Sequence, residues 1–385
     1  MPERPTKAFI DLDAVAHNVG MVRKIVGPSV RIMAVVKADG YGHGAYPVAA
    51  VALKAGADWL GVANPTEGIA LRERGLQTPI FILGQTTREE LPKVLNYRFS
   101  QMVADADSIR HLAALAKKQR CRVGVHLKVD TGMGRLGAQP EKALPLAQRI
   151  MASPSLVLEG LMSHLAAADS EDQSHTQGQI KAFARILSLL KKHGIDPPLK
   201  HVANSAAVLT LPDSHFTLVR PGIMIYGLSP ANNRPHSWGL RPALRLVTRV
   251  IFLKTVGAGT HISYGCTYTT KKRTRIATLP IGYADGYSRL LSNRGQVLIG
   301  GQRAPIVGRV CMDMFMVDVS HISGVKEGEE AVLYGCQGQE EITVEEVARL
   351  AQTVNYEIIC SLGKRVPKFY TLKGVVFSEE ESFLV

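Results

Sequence analysis

A chain of 385 residues is long enough for two or three domains of ordinary size. Its 46% hydrophobic and 21% charged residues are those of a globular protein, which excludes collagen, coiled coil and wholesale disorder. Lysine and arginine exceed aspartate and glutamate by 46 to 33, a formal charge of +13. The basic residues are spread along the chain, however, and the densest cluster, Lys271-Lys272-Arg273, has no interleaved aromatics. Attraction for an anionic substrate or cofactor is therefore a more economical reading than nucleic-acid binding. No apolar run reaches the roughly 18 residues that span a bilayer. The N-terminus enters AFIDLD without a signal-peptide core, so a cytoplasmic location and no membrane partner are expected. Five scattered cysteines, never in CxxC spacing, argue against a disulfide framework and against a zinc site, so no metal is expected.

From about residue 28 to 225, short β-branched runs alternate with longer amphipathic segments. The runs are RIMAVVK (31–37), WLGVA (59–63), PIFIL (79–83), RVGVHLKVD (122–130), LVLEGLMS (156–163), LKHVAN (199–204) and TLVRPG (217–222). Near-continuous apolar strands separated by helices predict a parallel sheet buried on both faces. Ile180, Phe183, Leu187 and Leu190 mark one intervening helix by their spacing. With the strand count approaching eight, an N-terminal (β/α)8 TIM-like barrel fits better than an open doubly wound sheet.

The polar stretch ANNRPHSWGLRP reads as a linker. Beyond it, strand-like runs follow one another across Gly, Asn and Pro turns with no long helix between them, predicting a mainly β C-terminal domain. One short helix is expected over 342–354, opened by a capping box at Thr343 and Glu346. The division is placed at 1–238 and 239–385.

Functional groups of a parallel barrel collect at the C-terminal ends of its strands. Lys37 ends the first run and is followed by ADGYGHG. Desolvation there would lower its pKa and make its amine a better Schiff-base nucleophile. The lysine precedes the glycines, so the segment is not a P-loop. Strand alternation puts His126, Lys128 and Asp130 on one face, and Arg135 on the next loop is a candidate carboxylate ligand. His164, His201 and Arg220 follow three further strand runs. Asn204, Ser205 and the amides near Gly222 are suitable phosphate donors. Tyr264, Tyr283 and Met312 lie by glycine-rich turns or loops of the β part.

Together AVVKADGYGHG, LKVDTGMGRLG, SHLAAAD, NSAA, RPGIMIYG, ISYG, GYADGYSR, CMDM and NYEIIC…RVP resemble the motifs of bacterial alanine racemases, in the family's order across nearly the whole chain. The resemblance implies a fold-type III enzyme that uses pyridoxal 5'-phosphate (PLP), supplies D-alanine for peptidoglycan, and works as a head-to-tail homodimer. Each active site would combine one barrel with the partner's β domain, and the first strand, about 6–12, would join the C-terminal domain. By the same resemblance Lys37 would hold PLP and serve as one acid–base group. Tyr264 of the other subunit would be the second. Tyr41, Asn204, Ser205, Gly222, Ile223 and Tyr356 would hold the cofactor, largely at its phosphate, and Arg220 would face the pyridine nitrogen. His164 would link Tyr264 to Arg220, with His201 beyond. Arg135 and the Met312 backbone would take the substrate carboxylate, Lys128 would be a carbamylated lysine, and Tyr283 and Arg289 would line the entrance.

The chemistry explains these residue types. Racemisation removes an α-proton from one face and returns one to the other, so two opposed groups are the natural solution. An always-charged arginine cannot surrender a proton to the ring, which makes the cofactor a weaker electron sink than one paired with a carboxylate. A racemase of serine, lysine or broader range, a decarboxylase on the same plan, and a non-catalytic PLP carrier are the competing readings. The last would lack the β domain and the second base.

Overall fold

The computed structural model describes residues 4–231 and 238–378. The centre of the linker expected at ANNRPHSWGLRP, residues 232–237, lies outside the described residues, as do both chain ends.

The chain opens with β1 (Lys7–Asp11) and a helix over Leu12–Val26. Asp11 caps that helix, its carboxylate accepting from Ala14 N at 3.0 Å. Leu12, Val15, Val19, Val22 and Val26 recur at helical spacing and are buried. Eight parallel strands follow: β2 (Arg31–Val35), β3 (Trp59–Val62), β4 (Ile80–Ile82), β5 (Ser100–Val103), β6 (Val123–Lys128), β7 (Leu156–Met162), β8 (Leu199–His201) and β9 (Leu218–Val219). They pair in the order β8-β7-β6-β5-β4-β3-β2-β9. Between β8 and β9 the gap is stitched by Thr217 N to Lys200 O (3.2 Å) and Arg220 N to Ala203 O (3.0 Å), so the barrel is nearly closed.

One barrel strand, β5, is absent from the sequence reading, because SQMV begins with two polar residues. Both are buried and satisfied. Ser100 Oγ donates to Glu159, and the Gln101 amide bonds Thr86 and two backbone carbonyls. Met33, Trp59, Phe81, Met102, Met162, Leu199 and Leu218 form a cluster of their own inside the barrel. Their strand neighbours face the surrounding helices in the main core.

β1 does not join the barrel. It pairs antiparallel with β10 (Leu244–Arg249) and parallel with Lys368–Leu372, inside the largest sheet of the C-terminal part. A second sheet is built from Phe252–Val256, Thr274–Leu279 and Phe315–Asp318. The helix expected over 342–354 is shorter, Val344–Leu350. Thr343 Oγ accepts from Glu346 N at 3.0 Å, but the Glu346 carboxylate is taken by Arg303 at 2.7 Å, so only half of the capping box forms. A separate helix, Asn355–Cys360, follows. Among the described residues no helix is long and apolar enough to cross a membrane.

Candidate active site

β2 ends at Val35, two residues short of Lys37. Lys37 opens a turn in which Ala38, Asp39, Gly40 and Tyr41 have φ of 53°, 52°, 61° and 51°. A left-handed turn costs a non-glycine residue about 1–2 kcal/mol, so neighbours must hold it. Glu67 does so with both carboxylate oxygens, accepting from Ala38 N (2.9 Å) and Ala63 N (2.7 Å). Asp39 accepts from Ala45 N (2.9 Å) and is paired with Lys368 of the C-terminal sheet. His43 Nδ1 bonds Tyr41 O at 2.9 Å. The Lys37 and Tyr41 side chains then line one cavity.

That cavity, about 370 Å³ at the C-terminal mouth of the barrel, brings together most of the residues singled out in the sequence. Lys37, Tyr41, Lys128, Arg135, His164, Asn204, Ser205, Arg220, Gly222, Ile223 and Tyr356 all line it. Ser205 Oγ accepts from Gly222 N at 2.9 Å. A Cβ on Gly222 would stand 2.6 Å from the Tyr41 hydroxyl, so only glycine lets that hydroxyl close on the backbone. The Asn204 side chain caps the helix Ser205–Thr210 by accepting from Ala207 N at 3.1 Å. Asp130 leaves the face shared by His126 and Lys128. It lies past the end of β6, and its carboxylate accepts from the amides of Gly132, Met133 and Gly134.

Arg220 is buried and densely bonded. Its terminal nitrogens donate to His201 Nδ1 (2.7 Å), Ser163 O (2.8 Å), Val202 O (3.1 Å) and His164 Nδ1 (3.3 Å). Burial pushes its pKa down to about 9, which leaves it charged at neutral pH. Burial, and then the Arg220 charge, push His164 down to about 3 and Lys128 to about 8. Lys37 is lowered by burial and then by Arg135. The cavity therefore holds amines and imidazoles biased towards neutrality around fixed positive charge.

Tyr264, Tyr283, Arg289 and Met312 do not line this cavity. They lie on the C-terminal part, with Tyr264, Met312 and Tyr283 exposed to 72%, 53% and 44%. Their loops are fastened to one another. Tyr283 N bonds Cys311 O and Ala284 N bonds Met312 O, both at 3.1 Å, while Ser263 Oγ lies 3.4 Å from Cys311 Sγ. Two contributors escaped the sequence reading. Cys360 lines the cavity one helical turn after Tyr356, a spacing visible in NYEIIC. Glu67, which braces the left-handed turn, sits three residues after the helix cap Asn64, so NPTE signals a helix start, but nothing local records its bonds to Ala38 and Ala63.

The chain matches the family described as "Alanine racemase, N-terminal domain" over residues 10–230 and "Alanine racemase, C-terminal domain" over 243–370. It is 46% identical over 370 residues to an alanine racemase of Halothermothrix orenii, covering 96% of this chain and 98% of that one. It is 48% identical over 370 residues to an alanine racemase of Desulforamulus reducens, covering 96% and 99%. Two similar solved structures are alanine racemases of Streptomyces lavendulae and of Bacillus anthracis, the latter with bound L-Ala-P. Each has a TM-score of 0.92 and 38% identity, with coverage of 97% and 98% for the first and 98% and 98% for the second. Fold, site and relatives together define an amino-acid racemase, an isomerase built from a barrel and a β domain. Within that class the chain belongs to the alanine racemase family.

The buried histidines make stability depend on pH. His43 Nε2 has no hydrogen-bond partner among the described residues, and burial pushes the ring down to about 4. Its folded pKa lies below the unfolded value of about 6.5, so stability is lost as pH falls from 6.5 towards 4. This one group accounts for roughly 3 kcal/mol of that loss. Urea melts across this range are expected to show His43→Asn taking up about one proton fewer on unfolding near pH 5 than the parent.

Proposed function

We propose that the chain interconverts L-alanine and D-alanine with PLP, by two-base proton transfer in a homodimer whose sites are shared between subunits. The curated relatives carry that activity in their names, and the cavity fits the cofactor. It offers a desolvated lysine amine, an arginine, and an anion cradle of the Ser205 hydroxyl, the Ile223 backbone and the Tyr41 and Tyr356 hydroxyls, while Gly222 spends its N–H on Ser205 Oγ and leaves the room its missing side chain would fill. When bound, PLP supplies an electron sink for the charge left at Cα.

Each residue then has a task. Lys37 holds the cofactor and moves a proton on one face of the substrate. Its lowered pKa suits both roles. Arg220 directs a donor that cannot be given up at the ring nitrogen. His164, neutral beside Arg220, links that charge towards Tyr264. Arg135 and the Met312 backbone bind the substrate carboxylate, and Tyr283 and Arg289 narrow the entrance. The dividing point between the two domains is taken as 238/239. We place the enzyme in the cytoplasm, with D-alanine going to peptidoglycan.

The single observation that carries the shared site is the position of Tyr264. It is 72% exposed and outside the cavity of its own chain, while Lys37 is inside. This supports a second proton-transfer group supplied by another copy. Lys37→Ala and Tyr264→Phe are each expected to fail to racemise L-alanine, followed by circular dichroism. Mixed and re-equilibrated, they form heterodimers in which one of two sites is intact. Activity then returns to about a quarter of the parent value. No recovery would assign both groups to one chain.

Burial, and then Arg220 and Arg135, hold Lys128 at a pKa of about 8, so about a tenth of its amine is free at pH 7, far more than for an ordinary lysine. Such an amine attacks carbon dioxide. An N–C bond forms, nitrogen loses a proton to water, and the carbamate anion faces Arg135 instead of repelling it. Protein equilibrated with ¹³C-bicarbonate is expected to show one carbamate carbon signal by NMR, absent from Lys128→Ala.

A further inference from the structure

Arg220 is a buried cation, yet no described carboxylate pairs with it. Buried charges need compensation. The direction of its bond to His201 shows where that comes from. A guanidinium has no acceptor, so His201 Nδ1 must present a lone pair. His201 is then neutral, with its proton on Nε2. That nitrogen lies 2.7 Å from Nδ1 of His126, which in turn must accept. His126 therefore keeps its proton on Nε2. This buried nitrogen has no partner within hydrogen-bond range, and the Glu159 carboxylate is 3.6 Å away. Glu159 also accepts from Ser100 Oγ at 2.6 Å. The two bonds of the series run the same way, from Arg220 through His201 to His126, and the last N–H faces the Glu159 carboxylate across 3.6 Å.

The barrel is shaped around this series. A Cβ on Gly160 would stand 2.6 Å from His126 Nδ1, and one on Gly124 would stand 2.1 Å from the Glu159 carboxyl carbon. Glycine at these two strand positions leaves the room that the ring and the carboxylate occupy. Phe81 stacks on His126 at 4.2 Å and meets His201 edge-on at 5.9 Å, so the imidazoles run through an apolar sleeve. Low polarity there strengthens each link. Burial holds both imidazoles below their ordinary pKa, which agrees with the neutral forms the geometry requires. Glu159 emerges at the far, N-terminal mouth of the barrel, beside Trp59, Arg98 and Ser100.

We propose that Glu159 is a positioning residue for Arg220: through His126 and His201 it anchors the negative end of a one-way hydrogen-bond relay along the barrel axis. Arg220 dictates the two tautomers; the Glu159 charge facing the last N–H holds the line of rings, and so the orientation of the guanidinium at the cofactor. The relay's effect on turnover rests on the racemase reading above; its tautomers do not.

The test is ¹⁵N NMR of the full-length, PLP-loaded protein labelled at histidine. His201 and His126 are expected to read as neutral rings protonated at Nε2. A charged ring or an Nδ1–H tautomer at either position overturns the proposal without any variant. In Glu159→Leu the tautomers, which Arg220 dictates, are expected to stay, while the His126 Nε2–H resonance shifts and kcat for L-alanine falls about tenfold with KM within about twofold. Glu159→Gln, which keeps an acceptor, is expected to recover the resonance and most of kcat. An unchanged His126 Nε2–H resonance or an unchanged kcat in Glu159→Leu overturns the proposal. Intact wild-type tautomers in a protein that does not racemise alanine would sink the racemase reading alone.

Discussion

The buried guanidinium of Arg220 is the constraint around which the barrel mouth is organised. It donates to two backbone carbonyls and two histidine rings, and those acceptors come from the ends of β7, β8 and the loops after them. Their own burial, and then the Arg220 charge, depress the pKa of His164, His201 and Lys128. One fixed cation thereby sets a neutral imidazole on one side, a reactive amine on another and, through the barrel axis, the tautomers of two more rings. A lysine in its place would present a point charge on a flexible stem and could not hold four directed bonds in this planar arrangement.

The second constraint is the turn after Lys37. Left-handed backbone at Ala38, Asp39 and Tyr41 is held by Glu67 from the barrel and by Lys368 from the C-terminal sheet. The helix Asn355–Cys360 adds Tyr356 and Cys360 to the same cavity. The C-terminal part of a chain thus completes that chain's own cavity, while Tyr264, Tyr283 and Met312 are exposed outside it.

Much of this was legible in the sequence, for physical reasons that can be named. Buried parallel strands write continuous apolar runs, and these marked β2, β3, β4, β6 and β7 closely. β5 was hidden because its buried Ser100 and Gln101 are satisfied by side chains far along the chain, which no local pattern records. The placement of β1 beside β10 and Lys368–Leu372 is a pairing over more than 200 residues, and only the family resemblance suggested it. Motif order identified the cavity-lining residues. It did not reveal Glu67, whose role depends on a backbone conformation, or Glu159, whose role depends on two histidines aligned inside the barrel. The Thr343–Glu346 signal was half right because Arg303, distant in sequence, competes for the glutamate.

The proposed chemistry needs two groups, one on each face of the substrate, to share the proton transfer. Racemisation of L-alanine by the PLP-loaded enzyme in D2O, followed by mass spectrometry of the D-alanine from the first turnovers, distinguishes two groups from one. Two exchangeable groups on opposite faces place deuterium at Cα of essentially every D-alanine molecule formed. Protium carried over from L-alanine into D-alanine would show a single group serving both faces.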